Sequence, residues 1–400
     1  MRRDGSRDDF HALEERYGIP TYAQIPLTIV RGEGCWVEDA DGGRWLDLYG
    51  GHAVALTGHC HPRVVAAIRE QAGRLLFYSN LVSSDVRARA LRDLAATAQH
   101  GISRSFLCSS GAEANEAAIK IARRTTGRRK VISMRGGFHG RTMGALSATA
   151  LGHYLDDYAP GVPHHEFVPF GDLDAVRAAV DDDTASVLLE PIQSMGGMHT
   201  ASAEYLQGLR ALCDERGALL HFDEVQTGPA RTGRWWFGEH HGVVPDLIST
   251  AKGLGSGVPV GAVLARDEIA DKVAVGDQGT TFGGGMLASV AISATIHVIR
   301  DERLLANAER RGREIIEGAR AFPGVTGFRG KGLLLGIVLD RPAKEVVGRL
   351  RERGVLSGTT PGDPAVLRIL PPLTLGDAEV DTFLRALHLV LRESPGGGSR

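Results

Sequence analysis

The sequence predicts an α/β protein with a large domain on a mostly parallel, doubly wound sheet and a smaller α/β domain formed from both chain ends. The main observation is that strand and helix patterns alternate over roughly 170 residues in the middle of the chain, as in such sheets. In addition, 400 residues with 43% hydrophobic content can bury a large core. The 52 glycines are spread along the chain without a repeat, which is typical of a loop-rich α/β protein.

The N-terminal part predicts a small β-structure followed by two helices. Residues 1–16 are charged and are expected to form a mobile start or a short amphipathic helix. Apolar and polar residues then alternate on both sides of Asp41-Gly42-Gly43, which predicts a β-hairpin or a small meander. Pro62 is expected at the first position of a helix, and a second helix follows over about residues 85–98.

The central body consists of short apolar runs that predict buried strands, each followed by a loop or a helix. The body begins near Ser103, its first strand is predicted at residues 105–110, and Gly111 opens the helix after it. Ser202 is the predicted N-cap of a later amphipathic helix. The other strands are predicted at residues 130–134, 186–190, 218–222 and 247–250.

The C-terminal part predicts a smaller unit of mixed helices and strands. Helices are expected at residues 288–299, 302–322, 343–354 and 378–393, and strands at 333–339 and 366–370. The chain is therefore divided into an N-terminal segment of the small domain (1–60), a large domain (61–290), a C-terminal small domain (291–393) and a disordered tail (394–400).

Charge and cysteine content exclude several classes of protein. A net charge of −2 and a pI of about 6.7 give no basic footprint of the kind that binds nucleic acid. The four cysteines (Cys35, Cys60, Cys108 and Cys213) are far apart and form no C-x-x-C motif, which favours a reducing compartment. The charged N-terminus lacks the apolar core of a secretory signal, and no apolar run is long enough to span a membrane. A cytoplasmic protein with no membrane or nucleic-acid partner is therefore expected.

The strongest chemical signal is a pair of charged residues that follow short apolar runs. Residues 218–222 lead into Asp223, and residues 247–250 lead toward Lys252. At the carboxyl ends of parallel strands both would face a ligand crevice. A lysine in an apolar pocket can form a Schiff base with a carbonyl, and a carboxylate can keep a pyridine nitrogen protonated. The pair indicates pyridoxal 5′-phosphate (PLP), whereas the alternative is a structural ion pair or a solvated lysine.

Two glycine-rich stretches supply further candidate ligands. The Cys108-Ser-Ser-Gly-Ala turn precedes a helix, where free N–H groups and the helix dipole attract a phosphate; a tight turn needs small residues in any case. In the loop of residues 136–141, Phe138 could stack on a flat ring and Arg141 could grip a carboxylate. The alternative is a packed phenylalanine and a solvated arginine.

A metal site is not expected. Glu190 ends an apolar run as Asp223 does, and two carboxylates at one crevice could hold a metal or act as acid and base. Their spacing fits no usual ligand pattern. The clusters His59-Cys60-His61, His164-His165 and His240-His241 are also not expected to bind zinc, for two reasons. Neighbouring residues on a strand point to opposite sides, and no matching fourth ligand follows in the sequence.

Several of these stretches, in this order and spacing, resemble the class III PLP-dependent aminotransferases, and most closely their acetylornithine/ornithine subgroup. The resemblance extends from Tyr22 to the LRILPPL segment at residues 367–373. It rests on the segments SSGAEANEAAIKIAR, GGFHGRTMGALSAT, EPIQ, LLHFDEVQTG, ARTGRWW, PDLISTAKGLGSGVPVGAV and GTTFGG. It implies the type I fold of PLP-dependent transferases, with PLP bound in the large domain. It also implies a homodimer whose active sites lie at an interface that includes residues 1–60.

The resemblance further implies a role for each cofactor residue. Lys252 would hold PLP as a Schiff base and then move a proton between substrate and cofactor, while Asp223 pairs with the pyridinium nitrogen. Val225 and Phe138 would enclose the ring, with Gln226 near its phenolic oxygen. The complete set of implied cofactor-binding residues is Ser110, Gly111, Ala112, Phe138, Glu190, Asp223, Val225, Gln226, Lys252 and Thr281.

Within that set, the phosphate would be bound at the turn before the Gly111 helix, with help from Thr281 of the partner subunit. The resemblance also implies three substrate-binding residues. Arg141 would take a substrate carboxylate, and Arg368 would take the α-carboxylate of glutamate or 2-oxoglutarate. Tyr22 would line the substrate pocket at the dimer interface.

The most important departure from the subgroup lies beside Arg368. After EPIQ the subgroup has Gly-Glu, and this chain has Ser194-Met195. The glutamate of the subgroup neutralises the arginine that matches Arg368 while an ω-amino substrate is bound, and Met195 cannot do so. An unpaired Arg368 would favour ligands that bring a carboxylate, so the substrate is expected to differ from acetylornithine.

Other departures affect the rest of the pocket. The usual GGNP reads Gly284-Gly285-Met286, and TGFGRTG reads TGPARTG, with Pro229 and Ala230 stiffening the loop. His52 also stands near a position that lines the substrate pocket in relatives.

We therefore expect a dimeric aminotransferase with a ping-pong mechanism. It would take the amino group of an amino acid or an ω-amino compound and give it to a 2-oxo acid such as 2-oxoglutarate or pyruvate. A decarboxylase similar to dialkylglycine decarboxylase, or a racemase, is the alternative on the same fold, because both begin from the same lysine-bound cofactor. A non-catalytic regulator on this fold would carry a DNA-binding module, and the sequence shows no such helix-turn-helix.

Overall fold

The computed structural model describes residues 10–393, so the predicted disordered tail and residues 1–9 lie outside the described residues. The helices are α1 (Phe10–Tyr17), α2 (Gly50–Ala53), α3 (Pro62–Arg74), α4 (Asp85–Ala95), α5 (Gly111–Thr126), α6 (Met143–Ser147), α7 (Leu173–Ala179), α8 (Ala203–Arg216), α9 (Asp267–Ala270), α10 (Met286–Asp301), α11 (Leu304–Ala319), α12 (Ala343–Arg351) and α13 (Asp377–Arg392). Of these, α2 is a single turn whose residues have positive φ.

The strands form one large sheet and several smaller ones. They are β1 (Ile29–Glu33), β2 (Trp36–Asp39), β3 (Arg44–Asp47), β4 (Ile102–Cys108), β5 (Lys130–Met134), β6 (His165–Val168), β7 (Thr184–Leu189), β8 (Ile192–Gln193), β9 (His199–Thr200), β10 (Leu219–Asp223), β11 (Leu247–Ala251), β12 (Gly261–Arg266), β13 (Val325–Lys331), β14 (Leu334–Leu339), β15 (Val355–Leu356), β16 (Gly358–Thr360) and β17 (Asp363–Ile369).

The large sheet has seven strands in the order β4-β12-β11-β10-β7-β5-β6. Strand β12 runs antiparallel to both of its neighbours, β4 and β11. The strands from β11 to β6 pair in parallel. The prediction of a mostly parallel sheet is confirmed.

The centre of this sheet is covered by helices on both faces. Every residue of β7, β10 and β11 is buried, as expected for strands between two helical layers. In β10, Leu219 packs in a cluster with Ala118 of α5, whereas Leu220 packs in a different cluster with Leu209 of α8. Because successive side chains of a strand point to opposite faces, α5 and α8 lie on opposite sides of the sheet.

The two chain ends share a second, smaller unit. Strands β13, β14, β17 and β16 form an antiparallel sheet, and β15 pairs in parallel with β3 of the N-terminal sheet. One hydrophobic cluster joins Leu46 and Leu48 with Leu335, Leu367 and Phe383. The predicted α/β unit built from both ends is therefore confirmed, while the limits 1–60, 61–290 and 291–393 stay a prediction.

Most predicted elements are present, with ends that differ by a few residues. Pro62 begins α3, Gly111 begins α5, and Ser202 caps α8 by accepting a hydrogen bond from the amide of Tyr205. The sequence patterns do not predict β6, β12 or β13, since β6 has four residues and β12 and β13 contain glycine. Within residues 10–393, no helix combines the length and apolarity needed to cross a membrane.

Candidate active site

A cavity of about 480 Å³ opens where three neighbouring strands of the large sheet end. Glu190 follows β7, Asp223 is the last residue of β10, and Lys252 follows β11. Because these strands are adjacent and parallel, the three side chains meet in one cavity. The predicted site residues Ser110, Gly111, Ala112, Phe138, Arg141, Val225 and Gln226 also line it.

Lys252 combines a strained backbone with a weakly basic side chain. Its φ is 44°, a conformation that residues with a Cβ rarely adopt and that clusters at functional sites. Desolvation lowers the pKa of Lys252 to about 8, although the charges of Asp223 and Glu190 oppose this shift. Since about a tenth of the amine is then unprotonated at pH 7, far more than for an ordinary lysine, Lys252 can act as a nucleophile and as a base.

Asp223 is buried and yet ionised. Its Oδ2 accepts hydrogen bonds from Asn115 Nδ2 and from His139 Nδ1, both at 2.7 Å, and its Oδ1 accepts one from the Val225 amide at 3.0 Å. Burial alone would raise the pKa of Asp223, but the hydrogen bond and charge of His139, with the other donors, outweigh it and lower the pKa. Such a carboxylate can keep a pyridine nitrogen protonated.

The partners of Asp223 are themselves held in place by buried groups. Ser249 Oγ donates a hydrogen bond to Asn115 Oδ1, and it lies 3.0 Å from His221 Nε2. The His139 amide donates to Thr149 Oγ1 at 2.9 Å. These contacts fix the orientation of the donors that face Asp223.

Glu190 is the second carboxylate of the cavity and differs from Asp223 in protonation. Burial, followed by the charge of Asp223, raises the pKa of Glu190 to about 7. Its Oε1 accepts a hydrogen bond from the Phe138 amide at 2.9 Å. Glu190 can therefore hold a proton near Lys252 at neutral pH, while Asp223 remains charged.

The N-terminus of α5 forms a cradle for an anion. Ser110 Oγ accepts a hydrogen bond from the Glu113 amide at 3.2 Å, whereas the amides of Gly111 and Ala112 donate to no atom of residues 10–393. The helix has 16 residues, so its dipole adds to the attraction of these free amides for a phosphate. A Cβ at Gly111 would lie 2.9 Å from Val225 Cγ1, which explains why a glycine stands there.

Arg141 lies at the cavity wall with its guanidinium against aromatic rings. Its Cζ is 3.8 Å from the centre of the Tyr154 ring and 5.9 Å from that of Phe138. No carboxylate of residues 10–393 forms an ion pair with Arg141. The guanidinium is therefore available to a carboxylate of a ligand.

Arg368 of β17 is buried behind the cavity wall, where its charge acts on Lys252 and Glu190. Its Nη2 donates to the hydroxyl of Tyr49 at 3.0 Å, and its Nη1 is 3.2 Å from Met195 Sδ. Met195 thus occupies the expected place beside Arg368. Within residues 10–393 no carboxylate neutralises Arg368, and the uncharged Tyr49 hydroxyl accepts one of its hydrogen bonds.

Besides Arg368, two predicted residues do not line the cavity of their own chain. Tyr22 is 86% exposed and lies beside a separate surface depression near α1. Thr281 is exposed and precedes the exposed Phe282. Both roles concern the partner subunit and stay predictions.

Sequence patterns do not single out Asn115, His139, Tyr154 or Tyr49 as site residues. Asn115 lies one helical turn after Gly111, and His139 follows Phe138, so adjacency to predicted ligands is the signal that could have found these two. Tyr49 and Tyr154 reach the site through the tertiary fold. In residues 10–393, no group of three or more His, Cys, Asp and Glu side chains could hold a metal ion.

The residues of the cavity fit PLP. Lys252 provides an amine for its aldehyde, Asp223 provides an ionised carboxylate for its ring nitrogen, and the free amides at Gly111 and Ala112 provide a phosphate cradle. Val225 and Phe138 provide apolar walls.

Comparison with known proteins gives the same assignment. Residues 17–391 match the family model of the class III aminotransferases. The chain is 45% identical to the acetylornithine aminotransferase of Methanopyrus kandleri over 391 residues, which cover 96% of this chain and 100% of the relative. It is 39% identical to the [LysW]-aminoadipate semialdehyde transaminase of Deinococcus radiodurans, over 95% of this chain and 89% of that one.

A solved structure of the ornithine aminotransferase from Toxoplasma gondii has a TM-score of 0.90 and 34% identity, and the match covers 96% of this chain and 93% of that one. It is described as having partial occupancy of PLP at its active site. The type I fold is thereby confirmed, and nothing in these matches supports a decarboxylase, a racemase or a regulator. The chain belongs to the class III aminotransferases and is a PLP-dependent enzyme of that family.

Proposed function

We propose that this enzyme transfers the terminal amino group of a carboxylate-bearing ω-amino compound to a 2-oxo acid, with 2-oxoglutarate as the preferred acceptor and pyruvate as the alternative. The observation that carries the proposal is the cavity that joins Lys252 and Asp223 with Arg141. Arg368 is buried behind its wall, where its charge acts on Lys252. The names of the relatives agree with it, since acetylornithine and aminoadipate semialdehyde transaminases act on compounds of this type.

In the proposed mechanism Lys252 first holds PLP covalently and then carries a proton to and from the substrate carbon. When bound, PLP supplies an electron sink for the charge that develops on that carbon. The lowered pKa of Lys252 supports the role of a base near neutral pH. Asp223 would keep the ring nitrogen of PLP protonated, and Val225 and Phe138 would enclose the ring. Gln226 is proposed to lie near the phenolic oxygen, and Ser110, Gly111 and Ala112 to bind the phosphate.

The two arginines are proposed to bind the carboxylates of different substrates in a ping-pong reaction. Arg141 takes the carboxylate of the ω-amino donor, since ring stacking leaves its donors free. Arg368 takes the α-carboxylate of glutamate or 2-oxoglutarate.

We further propose a homodimer with shared active sites, located in the cytoplasm. Support for the dimer comes from an exposed apolar surface between α3 and α4. Phe77 of this surface packs against Phe282, and the centres of the two rings are 5.3 Å apart. Its exposed members are Leu75, Leu76, Phe77, Tyr78, Leu81, Val82 and Phe282. Thr281 and Tyr22 would reach the site of the partner subunit. The four unpaired cysteines support a reducing compartment.

The test is an absorbance titration of the purified, PLP-loaded enzyme. The band at about 420 nm that is typical of lysine-bound PLP should move to about 330 nm when L-glutamate is added, and return when a 2-oxo acid or a semialdehyde acceptor follows. The matched control is Lys252→Ala, in which borohydride should fix no cofactor to the chain. Loss of CO₂ from the donor would overturn the proposal in favour of a decarboxylase, whether or not an acceptor restores the band.

A further inference from the structure

Resting on the proposed role of Arg368 as the α-carboxylate site, we propose that the hydroxyl of Tyr49 is a displaceable cap on Arg368. It stands in the place of the absent subgroup glutamate as a weaker, uncharged competitor, and this makes Tyr49 a specificity-determining residue that sets how tightly Arg368 binds the carboxylate of a glutamate-type partner.

The hydrogen bonds of Arg368 leave its guanidinium without a charged partner among the described residues, so its donors can serve a ligand carboxylate. Its side chain is 1% exposed, so its charge needs partners. Nη2 donates to Tyr49 Oη at 3.0 Å, Nη1 has Met195 Sδ at 3.2 Å and Ser194 Oγ at 3.5 Å, and Nε has no hydrogen-bond partner. Within residues 10–393 no carboxylate forms an ion pair with it. The guanidinium is therefore held by neutral groups.

The cap is an uncharged chain of hydrogen bonds. A guanidinium can only donate, so the Tyr49 oxygen accepts from Arg368 and its own proton points to another acceptor. That acceptor is His52, whose Nδ1 lies 2.7 Å from Tyr49 Oη. Partial burial, with the charges of Arg368 and Lys252, lowers the pKa of His52 to about 4, so its ring is neutral and can accept. The pKa of Tyr49 is raised by burial, so the phenol stays protonated.

The backbone around Tyr49 is built to place this hydroxyl. Gly50, Gly51, His52 and Ala53 have φ values of 57°, 55°, 64° and 66°, and this left-handed turn brings His52 back onto Tyr49. Asp47 Oδ1 fixes the start of the turn, because it accepts from the amides of Tyr49 and Gly50 at 2.9 Å.

The small domain makes room for the ring. Gly358 of β16 pairs with Arg368 of β17, and a Cβ at Gly358 would lie 2.5 Å from Tyr49 Cε2. Any other residue at 358 would push the phenol away from Arg368. Gly358 thus provides the space in which the Tyr49 ring reaches Arg368, and Met195 leaves the guanidinium without a competing carboxylate.

A neutral cap changes the competition for Arg368. A carboxylate makes stronger, charge-assisted bonds to a guanidinium than a phenol does, and it can use two donors at once. A ligand carboxylate can therefore displace the phenol, whereas it would have to displace a bound glutamate side chain at greater cost. While an ω-amino donor occupies the site, the phenol keeps the buried charge of Arg368 satisfied.

The test measures binding of glutarate, a dicarboxylate that cannot react, to the PLP-loaded enzyme by titration calorimetry. The variant is Tyr49→Phe, which keeps the ring and removes the cap. The control is Tyr158→Phe, which removes a phenol hydroxyl from a residue that is 57% exposed and outside the cavity. The rates of the half-reactions with L-glutamate and with an ω-amino donor are followed by absorbance.

The cap predicts that Tyr49→Phe binds glutarate about threefold to tenfold more tightly than wild type, and that the KM for L-glutamate falls by a similar factor. The maximal rate with glutamate and the KM for the ω-amino donor should change less than about twofold. A second variant, His52→Gly, tolerates the left-handed turn and removes the acceptor of the phenol proton, so it should tighten glutarate binding in the same direction.

Unchanged or weaker glutarate binding in Tyr49→Phe, with normal conversion of glutamate, overturns the cap and leaves the proposed function intact. Equal loss of both half-reactions also overturns it, because that is the signature of a purely structural tyrosine. If neither wild type nor variant binds glutarate or converts glutamate, the assignment of a dicarboxylate acceptor in the proposed function is wrong. The proposed cap is then wrong as well.

Discussion

At the scale of single residues, the candidate active site holds two neighbouring carboxyl groups whose pKa values are shifted in opposite directions. Asp223 and Glu190 end adjacent strands and both are buried. Asp223 has three hydrogen-bond donors, so its pKa is lowered, whereas Glu190 has one donor and the charge of Asp223 beside it, so its pKa is raised to about 7. Separate environments thus give one permanent negative charge and one proton-holding group.

The first prediction concerns Asp223 and His139. Asp223→Asn should lower the rate of the glutamate half-reaction by at least about a hundredfold, because the charge opposite the ring nitrogen is lost. His139→Gln should cost less, since Asn115 and the Val225 amide still donate to Asp223. Without the charge of His139 the pKa of Asp223 rises, so the rate of this variant should decline at a higher pH than wild type as the solution is acidified. A pH–rate profile of both variants checks this; identical profiles for wild type and His139→Gln would contradict it.

The second prediction concerns the cost of burying Lys252 without cofactor. Its pKa in the folded protein is about 8 against an ordinary value of 10.5, so between these pH values the folded state binds fewer protons than the unfolded chain and stability rises with pH. Lys252→Met should therefore make the PLP-free protein more stable by roughly 1–3 kcal/mol at pH 7. The difference should shrink as the pH rises from about 8 toward 10. Urea unfolding at several pH values measures it.

The matched control for Lys252→Met is Lys344→Met, which removes an exposed lysine at the start of α12. It should give no pH-dependent difference from wild type. A Lys252→Met protein that is less stable than wild type at pH 7 would show that the positive charge of Lys252 stabilises the fold through Asp223 and Glu190.

Residues that carry the reaction could be predicted from sequence where they stand next to a pattern. Asp223 and Lys252 each follow a short apolar run, so chain position alone puts them at strand ends. His139 and Asn115 could not be assigned in this way, because their partner Asp223 is 84 and 108 residues away in the chain. Tyr49 faces Arg368 across 319 residues, and only the tertiary fold brings the two together.

At the scale of elements, the site is formed by the close approach of the α5 N-terminus to the ends of β10 and β11. Gly111 makes this approach possible: a Cβ there would lie 2.9 Å and 3.0 Å from the two γ-carbons of Val225 and 3.4 Å from Ala251 Cβ. Helix α5 packs on β11 and β12 through Ala114, Ala117 and Ala118, whose small side chains bring the helix close to the sheet. The phosphate cradle therefore depends on small residues on the inner side of one helix.

The third prediction is that Gly111→Ala weakens PLP binding by about tenfold or more, because the added methyl group displaces Val225 or the helix terminus. The control is Gly348→Ala in α12, where an added Cβ meets nothing within 4 Å. This control should leave PLP affinity unchanged and stabilise the protein by about 0.5–1 kcal/mol through helix propensity. PLP affinity is measured by fluorescence titration of the stripped proteins. Equal PLP affinity in Gly111→Ala and wild type would show that the cradle has more space than the structure indicates.

Helices and strands with a clear hydrophobic periodicity or a clear cap could be predicted from the sequence. Strands whose position depends on pairing with neighbouring strands could not. The helices α5 and α8 show clear caps at Ser110 and Ser202, which the sequence displays directly. Strand β12 starts at Gly261 in a glycine- and proline-rich stretch, and its place between β4 and β11 is set by pairing with both. Hydrophobic periodicity does not show whether a strand runs parallel or antiparallel to its neighbours, so the direction of β12 could not be predicted.

At the scale of the whole molecule, the active site lies where the large sheet meets the unit built from both chain ends. Asp223 and Lys252 belong to the large sheet, Arg368 belongs to β17, and Tyr49 belongs to the turn after β3. Arg231 is buried and donates to the carbonyl groups of Leu333 and Pro371, and these hydrogen bonds connect the two parts. A resemblance to a known family predicted this division because local patterns alone do not bring the chain ends together.

The last prediction tests whether the sites are shared between two chains. In the proposed homodimer Thr281 acts on the phosphate bound by the partner subunit, so Thr281→Glu should inactivate a homodimer by placing a carboxylate against that phosphate. Lys252→Ala inactivates a homodimer within each chain's own cavity. A mixed dimer of the two variants, purified through two different tags, should recover about half the wild-type rate, since one of its sites then combines an intact Lys252 with an intact Thr281. A dimer with both tags and Lys252→Ala in each chain is the inactive control. If Thr281 served its own chain, every site of the mixed dimer would carry one defect, and the absence of recovered activity would rule out sharing through Thr281.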